Sequence, residues 1–414
     1  MPSNSLSDPY AALKIPAFRI FIVGRFCSTL ALQIQAVAVG WQVYDLTKDP
    51  LSLGLLGLAE AIPSIAVSLY AGYLADVVSR KKILVVCYLI LIFCTATLFA
   101  YSFNPQNLIN SFGALPIYLV IFISGIARGF TRPAVFSLMP QMLPSKSFYH
   151  NAISWNITVW QAGSVAGPAI GGLFYSFFGV SMTFAAVLFL IIPAFFCFSQ
   201  ITVQAQSPEI LKQSSIKDEL LTGIRFVFSN QIILSAIALD LFAVLFGGAT
   251  ALLPVFASDI LQTGAQGLGF LRAAPAIGSI LIGFYLTRNP IKKNAGKKML
   301  TAVAGFGVCM ILFGLSTNFY FSLLLLFLSG AFDSVSVFVR HTLVQTLTPD
   351  YLKGRVSSVN SVFTDSSNEI GAFESGLTAS YAGAVASVVF GGIMTLLIVG
   401  FTGCKARKLR DLQL

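Results

Sequence analysis

Charged residues are scarce in this chain: they make up 10% of its 414 residues, whereas hydrophobic residues make up 56%. Soluble domains carry roughly 25% charged residues. A soluble core of this size could not bury so much apolar surface, so the composition excludes an ordinary soluble protein. The mean hydropathy of +0.82 indicates that a lipid bilayer surrounds most of the chain.

Histidine and cysteine are also scarce, with two and six residues respectively. The histidines, His150 and His341, are far apart in the sequence, and no cysteines stand at metal-ligand spacing, so we expect no metal and no cofactor. The sequence also lacks a nucleotide-binding loop and a nucleophile–histidine pairing, which argues against an enzyme.

Long apolar stretches dominate the sequence. Twelve of them reach the roughly 20 residues that a membrane-spanning helix needs, and their continuous apolarity excludes the short alternating strands of a barrel. We therefore predict an all-α polytopic membrane protein. The predicted spans are about 17–44, 51–77, 82–102, 117–139, 151–177, 180–200, 230–258, 266–288, 298–316, 319–343, 355–378 and 382–403.

The basic residues predict the orientation of these spans. Most of the 26 Lys and Arg residues fall on the side of the loop that carries Arg80, Lys81 and Lys82, and cytoplasmic loops are rich in Lys and Arg. Arg340, near the end of its span, is counted among these cytoplasmic cations. We therefore predict a bacterial inner-membrane protein with both termini in the cytoplasm. This topology accounts for the net charge of +10 and leaves no basic face for nucleic acid.

A polar stretch at about 201–222 divides the predicted spans into six and six. Gly72 and Lys81 of the first half recur as Gly283 and Lys292 in the second. Two pseudo-symmetric six-helix halves related by a weak repeat are typical of secondary transporters. The predicted domains are an N-terminal bundle at 1–200, a cytoplasmic linker with a short amphipathic helix at 201–229, and a C-terminal bundle with a basic tail at 230–414.

The loop between spans 2 and 3 combines Gly72, Asp76 and Arg80. It resembles the loop 2–3 signature of the major facilitator superfamily, although it departs from the usual pattern at two positions. The resemblance implies that Asp76 pairs with Arg132 of span 4 and holds a cytoplasmic gate shut. The alternative is a plain basic turn, with Arg132 reaching along the helix to the interface.

Span 5 carries Gly163, Gly167 and Gly171 at four-residue intervals, with Pro168 among them. The glycines form one smooth helix face, and the proline removes a backbone donor and bends the helix. A smooth, bent helix could move against its neighbour during gating, although close packing alone also favours such faces. The run resembles the superfamily's antiporter motif, which implies export by exchange.

Ionisable residues inside spans cost about 2.5–3.5 kcal/mol each on insertion scales and usually face a partner or a watery cavity. Asp365 and Glu369 are four residues apart, so they share a helix face, and their repulsion suits proton exchange. Arg128 lies where the superfamily often has an arginine linked to proton coupling. A structural ion pair remains the alternative for each, as for Glu60 and Asp333. The predicted proton-coupling residues are Arg128, Asp240, Asp365 and Glu369.

Polar residues recur at four-residue steps along spans 1 and 11, and such stripes would line an aqueous path between the two halves. We predict that Arg25, Gln33 and Asn360 touch the solute. The predicted cavity residues are Arg25, Gln33, Trp155, Thr158, Gln161, Asn360 and Thr364.

Several longer stretches are similar to the third drug–proton antiporter family of this superfamily. They are 41–47, 53–55, 340–345, 348–350, 354–360 and 367–369. The resemblance implies the twelve-helix major facilitator fold and export of a small organic solute, either a siderophore or an amphipathic drug-like compound. It also implies proton antiport by rocker-switch alternating access.

Other functions stay open from the sequence alone. A lysophospholipid flippase or importer would share the fold, whereas a membrane sensor or a channel would not be an active transporter. The expected partners are the solute, protons and membrane lipid, and we expect a monomer that binds no nucleic acid.

Overall fold

The computed structural model describes residues 10–103, 112–202, 216–247, 249–289, 291, 294–349, 352–410 and 412. Helices are the only regular secondary structure in these ranges, as expected for a backbone that must satisfy its hydrogen bonds within a bilayer. The principal helices are α1 (Pro16–Thr47), α2 (Pro50–Val77), α3 (Arg80–Phe103), α4 (Leu115–Leu138), α5 (Tyr149–Gln200), α6 (Ile216–Ser229), α7 (Gln231–Phe246), α8 (Gly264–Arg288), α9 (Ala295–Leu315), α10 (Phe319–Leu347), α11 (Lys353–Ala382) and α12 (Ala384–Lys405).

Ten helical segments of the described chain are long and apolar enough to cross a membrane. One of them, Asn151–Gln200, is long enough for two crossings and bends at Gly179, with φ 76° and ψ −179°. That backbone conformation is open to glycine almost alone. Helix α11 has 30 residues, which is long enough to cross a membrane, but it is more polar than the ten apolar segments. With these two additions the fold is the predicted all-α bundle of twelve crossings.

The seventh span differs from its prediction as one continuous helix at 230–258. Helix α7 ends at Phe246, and the chain continues through a 3₁₀ turn at Ala249–Leu252, a single turn at Leu253–Val255 and a π-helical turn at Phe256–Ile260. The break follows from Gly247, which caps α7, and from Pro254, which has no N–H to continue the helical hydrogen bonds.

The chain divides into two compact units. The N-terminal unit comprises Met1–Thr47 and Ala59–Leu211, and the C-terminal unit comprises Lys48–Leu58 and Lys212–Leu414. The first turns of α2 therefore pack with the C-terminal unit, where Gly54 lies against the backbone of Phe373 on α11.

An aromatic and aliphatic core holds the N-terminal unit together across α1, α3, α4 and α5. Phe21 and Tyr88 both pack on Phe198, and the Tyr88 and Phe198 rings stack with centroids 4.7 Å apart. All three side chains are fully buried, which fixes α1 and α3 against the second half of α5.

The glycine face of α5 packs directly on α1. A Cβ at Gly163 would lie 2.9 Å from Thr29 Cγ2, and one at Gly167 would lie 2.5 Å from Gln33 Cβ. Gly171 lies against Ile34 in the same way. Larger residues would force the two helices apart, so the four-residue repeat accounts for this close approach.

The C-terminal unit pairs α8 with α10, α9 with α10 and α12, and α7 with α11. The helix predicted in the linker is α6, and its Val227 packs into an apolar cluster with Ile233 of α7 and Val356 of α11. Helix α6 is thereby anchored to the bundle that follows it.

Candidate functional site

A buried ion pair lies inside the C-terminal unit. Arg340 of α10 places Nη2 3.2 Å from Oδ2 of Asp240 on α7, and the two side chains are only 3% and 4% exposed. Two charges removed from water this completely need each other and further hydrogen bonds to be tolerated.

Those hydrogen bonds come from side chains on two helices, α10 and α11. Ser336 of α10 donates its hydroxyl to Asp240 Oδ1 at 3.0 Å. Arg340 Nη1 donates to Asn360 Oδ1 at 2.7 Å and to Thr364 Oγ1 at 2.8 Å, both on α11. The planar guanidinium suits this task because its fork of donors can reach several acceptors at once. The network therefore ties α7, α10 and α11 together.

A second carboxylate, Asp333, lies beside this network. With Asp240 and Ser336 it lines a small cavity whose apolar lining includes Val303 and Phe306 and which has room for about one water molecule. Asp333 interacts electrostatically with both Asp240 and Arg340, but it has no hydrogen-bond or ion-pair partner in the described part of the chain. Two acids thus share one guanidinium.

The N-terminal unit holds a more exposed ion pair between Arg128 of α4 and Glu60 of α2, each about one-third exposed. Glycines bring the two helices close enough to form it. A Cβ at Gly125 would meet the carbonyl oxygen of Glu60, and one at Gly129 would lie 2.7 Å from that of Ser64. The pair therefore joins α2 and α4 at a point of backbone contact.

We expect the Glu60–Arg128 pair to contribute little to stability. In a double-mutant cycle with Glu60→Gln and Arg128→Gln, the coupling energy measured by denaturation should be at most about 1 kcal/mol, because partly exposed pairs are weakened by solvent screening. A coupling energy near the 3–5 kcal/mol typical of breaking a buried pair would contradict the exposure of this site.

The predicted cavity residues of the N-terminal unit lie on α1 and α5. Arg25 is half-buried, and its fully buried Nε has no hydrogen-bond partner among the residues that the structure describes. Gln33 lies against Gly167. On α5, the ring of Trp155 lies 5.8 Å from that of Tyr10, Thr158 is exposed and bonds the Ser154 carbonyl, and Gln161 is half-buried.

Several predicted residues are placed only in part. Gly72, Asp76 and Asp365 belong to helices, but their surroundings fall outside the described residues. The Asp76–Arg132 gate therefore stays a prediction, with Arg132 exposed on α4. Glu369 is half-buried on α11, and its Oε2 would lie 3.5 Å from a Cβ at Gly57. Three further predicted residues are placed as follows: Arg80 begins α3, and Gly163 and Pro168 are buried on α5.

Sequence reasoning missed Arg340. It was expected among the cytoplasmic cations, but its side chain lies inside the bundle and seven positions before the end of α10. Asn360 was expected to touch the solute and Thr364 to line the cavity, and both accept hydrogen bonds from Arg340. The available signal was the arginine itself, because a cation two turns inside an apolar helix usually has a buried partner.

Comparison with known proteins covers almost the whole chain. Residues 7–413 match the model of a family described as transmembrane secretion effector. The enterobactin exporters EntS of Shigella dysenteriae serotype 1 (strain Sd197) and Escherichia coli O1:K1 / APEC are each 25% identical over 389 residues, which cover 93% of this chain and 90% of theirs.

Solved structures share the fold. The nucleoside transporter NupG superposes with a TM-score of 0.74 at 14% identity, covering 94% of this chain and 99% of its own. A bacterial homologue of the iron transporter ferroportin, in an inward-facing state, has a TM-score of 0.68 at 16% identity, covering 92% and 98%.

Proposed function

The chain belongs to the transmembrane secretion effector family of the major facilitator superfamily, and we propose that it exports a small organic solute across a bacterial inner membrane in exchange for protons. Transport as such follows from the family and the fold. Export is supported by the enterobactin exporters that resemble the chain over 93% of its length. We propose a siderophore or an amphipathic drug-like compound as the solute.

The buried network of Asp240, Asp333 and Arg340 is the observation that supports the proposal of proton coupling. Two carboxylates and one guanidinium leave a net charge of −1, and an unneutralised charge within a bundle is costly. Binding one proton makes the network neutral. The network joins α7, α10 and α11. If it gains and loses this proton during the transport cycle, the proton would shift the equilibrium between two arrangements of these helices.

We also propose roles for the remaining predicted residues. Arg128, Asp365 and Glu369 would contribute to proton movement, and Asp76 with Arg132 would close the cytoplasmic side. We propose a monomer with both termini in the cytoplasm, whose halves at 1–200 and 230–414 rock about the solute.

Enterobactin uptake into liposomes containing the purified protein tests this function. With an acidic interior, protons leave the vesicle as solute enters, so uptake should exceed that at equal pH severalfold. A proton ionophore should abolish the difference, and protein-free liposomes should show none. Uptake that ignores the pH gradient would overturn antiport but leave transport standing. If neither enterobactin nor any of a panel of amphipathic dyes were taken up, the proposed solute classes would be overturned.

A further inference from the structure

Arg25 is a cation inside a membrane helix, and no counter-ion for it lies among the described residues. It lies nine residues after the start of α1, about 13 Å along the helix axis. It makes no ion pair within the described part of the chain, and its buried Nε has no hydrogen-bond partner. The residue is partly exposed, so its guanidinium is not sealed within the core.

No acid among the described side chains of the N-terminal unit can neutralise it. Glu60 is already paired with Arg128. Asp45 is on the same helix but 20 residues further on, about 30 Å away. Arg132 is near enough to Arg25 to interact electrostatically, which adds positive charge. Holding this charge in place without compensation is costly, so an anion from elsewhere would be favoured there.

The polar groups around Arg25 hold its backbone rather than its guanidinium. Ser28 and Thr29 donate their hydroxyls to the Arg25 carbonyl at 3.0 and 2.8 Å. Tyr88 is buried against Phe198. These hydroxyls therefore bind the backbone carbonyl, and the donors of the guanidinium remain available.

The register between α1 and α5 shows what lies opposite. Thr29 meets Gly163 and Gln33 meets Gly167, so each step of four residues on α1 corresponds to four on α5. Arg25 is consequently level with Val159, so the facing position of α5 is apolar and supplies no counter-ion.

We propose that Arg25 binds an anionic oxygen group of the transported solute: a carboxylate, phosphate or phenolate. The proposal rests on the proposed function in taking the occupant to be the transported solute. Arginine suits such groups because its paired donors match two oxygens at once. The exported solutes are therefore amphipathic anions, and neutral analogues bind weakly.

Equilibrium dialysis of the purified protein in neutral maltoside micelles tests this with 2-naphthoate and its uncharged amide, 2-naphthamide. We expect the carboxylate to bind at least about tenfold more tightly, the effect of a charge-assisted hydrogen bond. Arg25→Gln should remove the preference and Arg25→Lys should keep part of it. Arg19→Gln, which removes an exposed charge from the same helix, is the matched control and should keep all of it.

A wild-type protein without the preference, or an Arg25→Gln protein that retains it, would overturn the proposal. Arg25→Gln removes an uncompensated charge, so it should unfold at the wild-type temperature or above. Adding phosphatidylglycerol should leave naphthoate binding unchanged. Displacement by that lipid would assign the site to a headgroup and overturn the solute assignment. The dialysis needs no gradient, so its result is independent of whether export is coupled to protons.

Discussion

Replacing Asp240 by Asn should abolish proton-driven uptake and destabilise the C-terminal unit by about 3–5 kcal/mol, the usual cost of removing one partner from a buried ion pair. Arg340 would keep its hydrogen bonds to Asn360 and Thr364 but would lose its ion-pair partner while 3% exposed. The remaining acid, Asp333, interacts with it electrostatically but forms no ion pair with it in the described part of the chain. Thermal unfolding of the purified protein and uptake into acidic vesicles measure the two effects.

Two further variants separate stability from proton coupling. Asp240→Asn combined with Arg340→Gln removes both charges of the ion pair and leaves Asp333, which becomes neutral when it binds a proton. The double variant should therefore recover most of the stability without restoring proton dependence. Ser336→Ala removes one hydrogen bond to the same carboxylate, so it should cost only about 1 kcal/mol and leave uptake proton-driven. Normal proton-driven uptake in the Asp240→Asn protein would show that Asp240 does not take part in proton coupling.

The contrast between Asp240 and Arg340 shows which part of this site was predictable. Asp240 was predicted as a proton-coupling residue because it lies in the middle of an apolar helix, where membrane topology does not explain an acid. Arg340 has one, since Lys and Arg near a helix end normally mark the cytoplasmic side. Its burial depends on acceptors from α11, 20 and 24 residues further along the chain, and no local pattern reveals such contacts.

The fold was more predictable because bilayer thickness sets helix length directly. The span predicted at 82–102 is the helix Arg80–Phe103, and the one at 319–343 is Phe319–Leu347. The break after Phe246 was missed, because glycines and prolines also occur within intact spans of this chain, such as at Pro63 and Pro275. Whether the backbone leaves the helix at such residues depends on its neighbours.

Glycines allow close helix packing in the C-terminal unit, as they do in the N-terminal unit. On α8 and α10 the contact is reciprocal: a Cβ at Gly330 would collide with the carbonyl oxygen of Pro275, and one at Gly278 would collide with that of Phe327. Membrane helices gain little from the hydrophobic effect when they associate, so close van der Waals contact is a main source of their stability.

Gly330→Leu should therefore destabilise the C-terminal unit by about 3 kcal/mol or more, at or above the upper end of the usual range for overpacking. The colliding atoms at Pro275 belong to the backbone, so no side-chain rotation relieves the contact. Gly330→Ala introduces the same first atom and should show a smaller loss in the same direction. Thermal unfolding in detergent and the yield of monodisperse protein measure both.

Gly400→Leu is the matched control, because nothing lies within 4 Å of a Cβ at that exposed position of α12. It adds the same side chain to a helix of the same unit and should unfold at the wild-type temperature. If the Gly330→Leu protein also unfolded at the wild-type temperature, the backbone contact between α8 and α10 would have to be looser than the structure gives. If both variants lost stability equally, the helix propensity or bulk of leucine, rather than the α8–α10 contact, would be the cause.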